Sequence, residues 1–447
     1  MDDKQQIQQD KREARRKRRI KNQILAYIVV VIFITALAAG IVLGVRQLMA
    51  ERQAKEAEQQ SSQDALEELL ASEEELTTPE PTQEPVVEEL TPEQKLDEIV
   101  NAGIEVMPLE DKVAGLFIVT PESITGVSTA VKAGEGTQKA LAQYAVGGII
   151  YDTKNIRSEE QFREMLDNTE LYTKYPIFLA VSEEGGNGSV VAKSGIGTNI
   201  ESAKVLGQSG DTDIAYQAGV NVGSNLAGLG INLNLAPVAD ITTLDNSFME
   251  ERSFGSGAWL AGSMAGSFIQ GMKSVGVVSC VKHFPGQGST ADNPDKGRSV
   301  TDRTEEQFRS EEFIAFQAAI DAGVDMVMIS NIQAPALTGD NEPCVFSEKL
   351  VTDILRGEMG YDGVIISDAL NMPAVSDYYS SDDAVIRALK AGCDMILAPE
   401  DFETAYNGVL QAVHDGVISE ERIDDALRRI YRIKYADRIN EVNGGRE

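Results

Sequence analysis

The chain has 447 residues, enough for a barrel of about 250 residues or more with appendages. Its 71 Asp and Glu against 40 Lys and Arg give a formal net charge of −31, which excludes the basic surface that a nucleic-acid partner requires. Three cysteines, Cys280, Cys344 and Cys393, form no Cys-x-x-Cys pair, so no disulfide framework, zinc site or other metal or cofactor is expected.

The charge is uneven. Residues 1–22 hold nine Lys and Arg against four Asp and Glu. The 22 residues from Ile24 to Val45 carry no charge at all, and as a helix they span the roughly 30 Å hydrocarbon core of a bilayer. A basic block directly before such a segment predicts a cytoplasmic N-terminus, residues 1–23, and a single-pass anchor in the cell membrane. A cleaved signal peptide is the alternative, but its apolar region is shorter and ends in small residues; here Arg46-Gln47-Leu48-Met49 follows. Residues 46–95 read as an acidic, Pro-containing stalk, with three Lys and Arg against fourteen Asp and Glu over 51–95. Such a composition cannot bury enough apolar surface to fold alone, although Glu51 to Leu76 has the residues of a fraying helix.

From residue 96 to 447 the pattern changes. Short apolar runs at 116–120, 148–151, 177–181, 232–236, 277–282, 326–330, 363–367 and 394–398 alternate with helical stretches. Continuous rather than alternating apolar character suits parallel strands covered on both faces. Eight strands with helical crossovers predict an α/β fold of the (β/α)8 barrel type outside the membrane. A doubly wound open sheet is the alternative, but no Gly-x-Gly-x-x-Gly opens a helix after the first strand. Thr304-Glu305-Glu306-Gln307 predicts a capping box for a helix over 305–322, and Gly392 a glycine stop for one ending at Ala391. The spacing of Ile423, Ala426, Leu427, Ile430 and Ile433 predicts a final helix on the outside of the barrel.

Catalytic groups of such barrels sit at the C-terminal ends of strands. Three predicted strand ends carry capable residues: Ser182-Glu183-Glu184-Gly185-Gly186, Lys282-His283 and Ser367-Asp368. A carboxylate, a cation and an imidazole converging on one mouth suit a polyol or sugar, held by charge-assisted hydrogen bonds. Asp368 is the nucleophile candidate, since a retaining glycosidase attacks the anomeric carbon with a carboxylate on a rigid element.

These residues, with Gly147-Gly148-Ile149-Ile150, Leu235-Ala236-Pro237-Val238-Ala239-Asp240, Arg252-Ser253-Phe254-Gly255, Lys282-His283-Phe284-Pro285-Gly286 and Ser367-Asp368-Ala369-Leu370-Asn371-Met372, resemble glycoside hydrolase family 3. The resemblance is to its single-domain bacterial β-N-acetylglucosaminidases. It implies a (β/α)8 barrel, Asp368 as nucleophile, and Arg252, Lys282 and His283 holding the sugar hydroxyls and the N-acetyl-bearing ring, with Glu184 and Ser182 beside them. The implied partner is a carbohydrate, an N-acetylglucosamine-containing glycan of the cell wall.

The chain departs from that pattern at several positions. A second family histidine is Gln287, and the mobile loop's Asp-Ser-His, whose His is the acid/base, reads Asn293-Pro294-Asp295. The Asp before Glu-Gly-Gly is Ser182, the Arg after it is Asn187, and a further His is Asn331. Two function classes follow. One is a membrane-anchored β-glycosidase in which Asp295, or else Asp292, donates the proton. The other is a catalytically degenerate barrel that binds a glycan or a protein. A metal enzyme of the same fold is disfavoured by the shortage of histidines.

Overall fold

A computed structural model of the chain describes residues 90–244 and 247–436. The expected anchor at 24–45, and the stalk up to residue 89, lie outside the described residues. No helix among the described residues is long and apolar enough to cross a membrane. Among the described residues the first helix is Pro92–Glu105, which starts inside the segment read as stalk. Thr91 caps it in a complete capping box with Gln94, Pro92 opens it, and Leu96, Val100 and Ile104 bury one face at a spacing of four.

All eight expected strands form: β1 (Phe117–Val119), β2 (Gly148–Ile150), β3 (Phe178–Val181), β4 (Leu233–Asn234), β5 (Val278–Phe284), β6 (Met326–Ile329), β7 (Val364–Ser367) and β8 (Ile396–Leu397). They pair in parallel in the order β7-β6-β5-β4-β3-β2-β1-β8. Sequential order with β1 beside β8 is the topology of a barrel, and rules out the doubly wound alternative. The remaining seam, between β7 and β8, is closed by one parallel bridge, Ile366 to Met395. Every residue of β6 and β7 is buried, as strands packed on both faces require.

Two elements differ from expectation. The helix expected over 305–322 has its predicted cap at Thr304, but it splits into Glu305–Ser310 and Glu312–Asp321. The break at Glu311 lies where Arg303 pairs with both Glu311 (2.5 Å) and Glu312 (2.8 Å), a tertiary contact that helical periodicity does not encode. Strand β5 runs two residues past its expected end. Between Val281 and Phe284 its register against β6 shifts, three steps on β5 matching two on β6. Such a bulge re-aims side chains, and here it lets consecutive Lys282 and His283 both serve the barrel mouth rather than opposite faces.

The N-terminal rim of the barrel is held by ions. Asp394, fully buried, accepts from the Ile365 N–H (3.0 Å) and pairs with Arg356 (2.7 Å), Arg429 (3.1 Å) and Arg422 (3.4 Å). Arg422 and Arg429 come from the final helix, Glu420–Lys434, which buries Ile423, Ala426, Leu427, Ile430 and Tyr431. The Lys434 ammonium of the same helix donates to the Gly147 carbonyl at 2.7 Å and lies over the Phe178 ring. Each Asp394 contact stitches the two sides of the β7–β8 seam or ties the final helix to it. The three cysteines are buried and unpaired.

Candidate active site

The C-terminal ends of β3, β5 and β7 bring Ser182, Glu184, Lys282, His283 and Asp368 together, with Arg252 from the loop after β4. Glu184 is the hub. Arg252 grips its carboxylate with two parallel bonds, Nε to Oε2 at 2.7 Å and Nη2 to Oε1 at 2.8 Å. Lys282 Nζ adds a third contact to Oε1 at 2.5 Å and donates to Ser182 Oγ at 2.7 Å. The side chains of Glu184 and Lys282 are each 5% exposed. Burial alone raises the pKa of a carboxyl, but Lys282 and Arg252 outweigh it, so Glu184 sits well below the usual carboxylate range.

Two glycines shape the turn that presents Glu184. Gly185 (φ 89°) and Gly186 (φ 53°) lie in the left-handed region, and a Cβ on them meets the Glu201 carbonyl oxygen at 2.6 Å and Ser202 Cβ at 2.7 Å. Glu183 folds the rest of the loop by accepting from the N–H groups of Val190, Val191 and Ala192. Of two adjacent glutamates, one thus builds the loop and the other faces the site.

His283 is oriented by a residue to which the sequence assigned no role. Asp240, fully buried after β4, lies 2.7 Å from His283 Nδ1 through Oδ2 and accepts the Gln287 N–H at 2.8 Å through Oδ1. With Nδ1 engaged, Nε2 is left to face the mouth. The signal was present: Asp240 follows an apolar strand run, as Asp368 does. Gln287, in place of a family histidine, is built into the wall: its side-chain oxygen accepts from Ser330 Oγ at 3.1 Å.

Asp368 is 3% exposed. Its Oδ1 accepts the Ala369 N–H at 2.8 Å, and its backbone N–H is fixed to the Ile329 carbonyl at 2.9 Å. Its Oδ2 is buried with no hydrogen-bond partner. Burial raises its pKa above the usual Asp value, against the opposing pull of His283, the Ala369 N–H and Lys282. A rigid carboxylate with one anchored and one unoccupied oxygen is poised to meet an electrophile.

The loop after β5 carries an exposed Asp295 on a one-turn helix, Pro294–Lys296, whose cap Asn293 accepts the Asp295 N–H. Asp295 is near enough to Asp368 to disfavour its ionisation, but it is not part of the buried cluster. Asp292 is exposed too, and its carbonyl accepts from Ser299 and Thr290. The loop's near end is pinned where Gly286 (φ 126°) packs on Glu312, within 2.6 Å of where a Cβ would stand. Among the described residues no group of His, Cys, Asp and Glu is placed to hold a metal ion.

The sequence pattern of the glycosyl hydrolase family 3 N terminal domain matches residues 108–433. A β-N-acetylglucosaminidase/β-glucosidase of Cellulomonas fimi is 29% identical over 299 residues, 65% of this chain and 52% of that protein. A β-hexosaminidase of Nitrosomonas eutropha is 30% identical over 272 residues, 59% of this chain and 77% of that one. The chain thus spans about half the length of the first relative and more of the second. Among solved structures, a family 3 β-N-acetylglucosaminidase from a Paenibacillus species superposes with a TM-score of 0.70 at 31% identity, covering 75% of this chain and 64% of that one.

Proposed function

The chain belongs to glycosyl hydrolase family 3, and we propose that its barrel is a β-N-acetylhexosaminidase-like glycosidase that works with retention through Asp368. The observation that carries this reading is the unpartnered, buried Asp368 Oδ2 at the end of β7. In the proposed reaction Oδ2 attacks the anomeric carbon, the glycosidic oxygen leaves with a proton, and water then cleaves the glycosyl ester while returning a proton to the loop acid. Arg252, Lys282, His283 and Ser182 bind sugar hydroxyls, with Glu184 setting the geometry of the cations. The substrates are N-acetylglucosamine-containing glycans of the cell wall. Turnover of an activated aryl N-acetylglucosaminide by the purified full chain tests the reading, because such a substrate needs little acid assistance. No turnover at millimolar substrate and micromolar protein refutes it.

The proton donor of this reading is Asp295. Its exposed position on the loop suits a group that reaches the leaving oxygen only when substrate is bound. Asp295→Asn is expected to slow alkyl or sugar leaving groups by about 100-fold or more while leaving a dinitrophenyl leaving group within about threefold. Azide should restore part of the rate on the activated substrate if the glycosyl ester then accumulates. Equal slowing on both substrates removes Asp295 from the mechanism.

A second reading, a degenerate barrel that binds glycan or protein, is favoured by Gln287, whose buried side-chain oxygen is spent on accepting from Ser330 Oγ. Sugar binding without turnover selects it.

For location, the reading places residues 24–45 in the cell membrane with the barrel outside. Protease added to intact cells is expected to remove the barrel within minutes, under conditions that spare cytoplasmic markers. A barrel that survives such treatment refutes the topology.

A further inference from the structure

A second buried oxygen lacks a partner beside the proposed nucleophile. Asn331 follows β6, is 1% exposed, and its Oδ1 has no hydrogen-bond partner. Its other amide atom is committed: Nδ2 donates to the Ala369 carbonyl at 2.8 Å. That bond fixes which way the amide faces, because a carbonyl can only accept and the nitrogen must be the donor. Ala369 also gives its N–H to Asp368 Oδ1 at 2.8 Å. One residue therefore holds both side chains by its two backbone polar groups, and each presents one bare acceptor, Asn331 Oδ1 and Asp368 Oδ2. Leaving a buried acceptor unpaired costs about 1–3 kcal/mol, so such a pair points to a bound molecule that brings donors.

Resting on the glycosidase reading, we infer that Asn331 is a specificity-determining residue that reads the substituent on C2 of the sugar by accepting its hydrogen bond. The chemistry of the ring selects that atom. With Asp368 Oδ2 directed at C1, the groups on and next to the reacting centre are the leaving oxygen, the ring oxygen and the C2 substituent. The leaving oxygen is on the face away from the nucleophile. The ring oxygen has no hydrogen to give. Only the C2 substituent, an acetamido N–H or a hydroxyl, can satisfy an acceptor set beside the nucleophile. The ligand class is a pyranoside with a donor at C2, and a 2-deoxy sugar is disfavoured because it leaves Asn331 Oδ1 unpaired.

The test compares aryl N-acetylglucosaminide with its 2-deoxy counterpart, on the full chain and on Asn331→Leu, which keeps volume and removes the acceptor. The quantity read is the ratio of the two kcat/KM values, in which any general loss from misfolding or altered packing cancels. Asn331→Leu is expected to reduce the wild-type preference for the C2 donor by about tenfold or more. Binding of N-acetylglucosamine and 2-deoxyglucose, followed by ligand-observed NMR, gives the same comparison without catalysis. Turnover with an unchanged ratio overturns the assignment and leaves the glycosidase reading standing. Absent turnover with an Asn331-dependent binding preference refutes that reading and supports the assignment. Should Asn331→Leu fail to fold, equal wild-type binding of the two monosaccharides, or binding of neither, overturns the assignment, and a clear wild-type preference for the C2 donor supports it.

Discussion

Asp368→Asn is expected to abolish glycoside hydrolysis and to raise the melting temperature of the protein near pH 7. Removing a covalent nucleophile costs about 10⁴- to 10⁶-fold in kcat, or roughly 5–8 kcal/mol at 1.36 kcal/mol per tenfold. The gain in stability follows from the same burial. The Asp368 carboxyl has a higher pKa folded than unfolded, with burial as the main cause. Below its ordinary pKa both states are protonated and the group is neutral in the balance. As pH rises through the interval up to the raised pKa, the unfolded state loses its proton first and the folded state loses stability. Above that interval the folded protein carries a buried charge at full cost, which the Asn amide removes. The wild-type kcat/KM should accordingly lose activity on its acid limb at a pH above the usual Asp range, where Asp368 takes up a proton. Thermal unfolding and a pH–rate profile check both parts. Near-wild-type turnover, or a lower melting temperature at pH 7, is the result that sinks the assignment.

Glu184→Gln is expected to destabilise the fold by about 3–5 kcal/mol, because it strands two cations that now share one buried carboxylate. Arg252 and Lys282 contact Glu184 at 2.5–2.8 Å, with the side chains of Glu184 and Lys282 buried and that of Arg252 30% exposed. A melting temperature lower by about 6 °C or more should accompany that loss in a domain of this size. Adding Lys282→Met removes one of the stranded charges, so the double variant should recover part of the loss. A single variant that melts within about 2 °C of wild type shows the cluster to be more solvated than its packing indicates.

The eight strands were legible because a parallel strand buried on both faces leaves an unbroken apolar run, as in Met326–Ile329 and Val364–Ser367. Ladder length was not. Strands β4 and β8 keep two residues each where five were expected, and Pro237 and Pro399 just beyond them have no N–H to extend the pairing. Site residues were legible where polarity ended an apolar run, hence Asp368, Lys282 and Glu184. The partner of His283 was not, since Asp240 lies 43 residues away in sequence and only barrel closure brings the two together. The helix break at Glu311 was hidden for the same reason: it coincides with ion pairs that Arg303 makes from outside the helix. The apolar run alone did not separate Glu183 from Glu184; the family resemblance singled out Glu184, and the glycine turn is what presents it to the site.

The ion cluster on Asp394 gives the molecule an order of assembly. Asp368 directly follows strand β7, yet the outer edge of that strand meets β8 through a single bridge, and the two arginines that brace that seam from Glu420–Lys434 lie downstream of both strands. A chain emerging from a ribosome therefore holds Asp368 beside an open sheet margin until those helical residues have been made. Nascent chains shorter than that have an unpaired strand edge, which invites pairing with another chain.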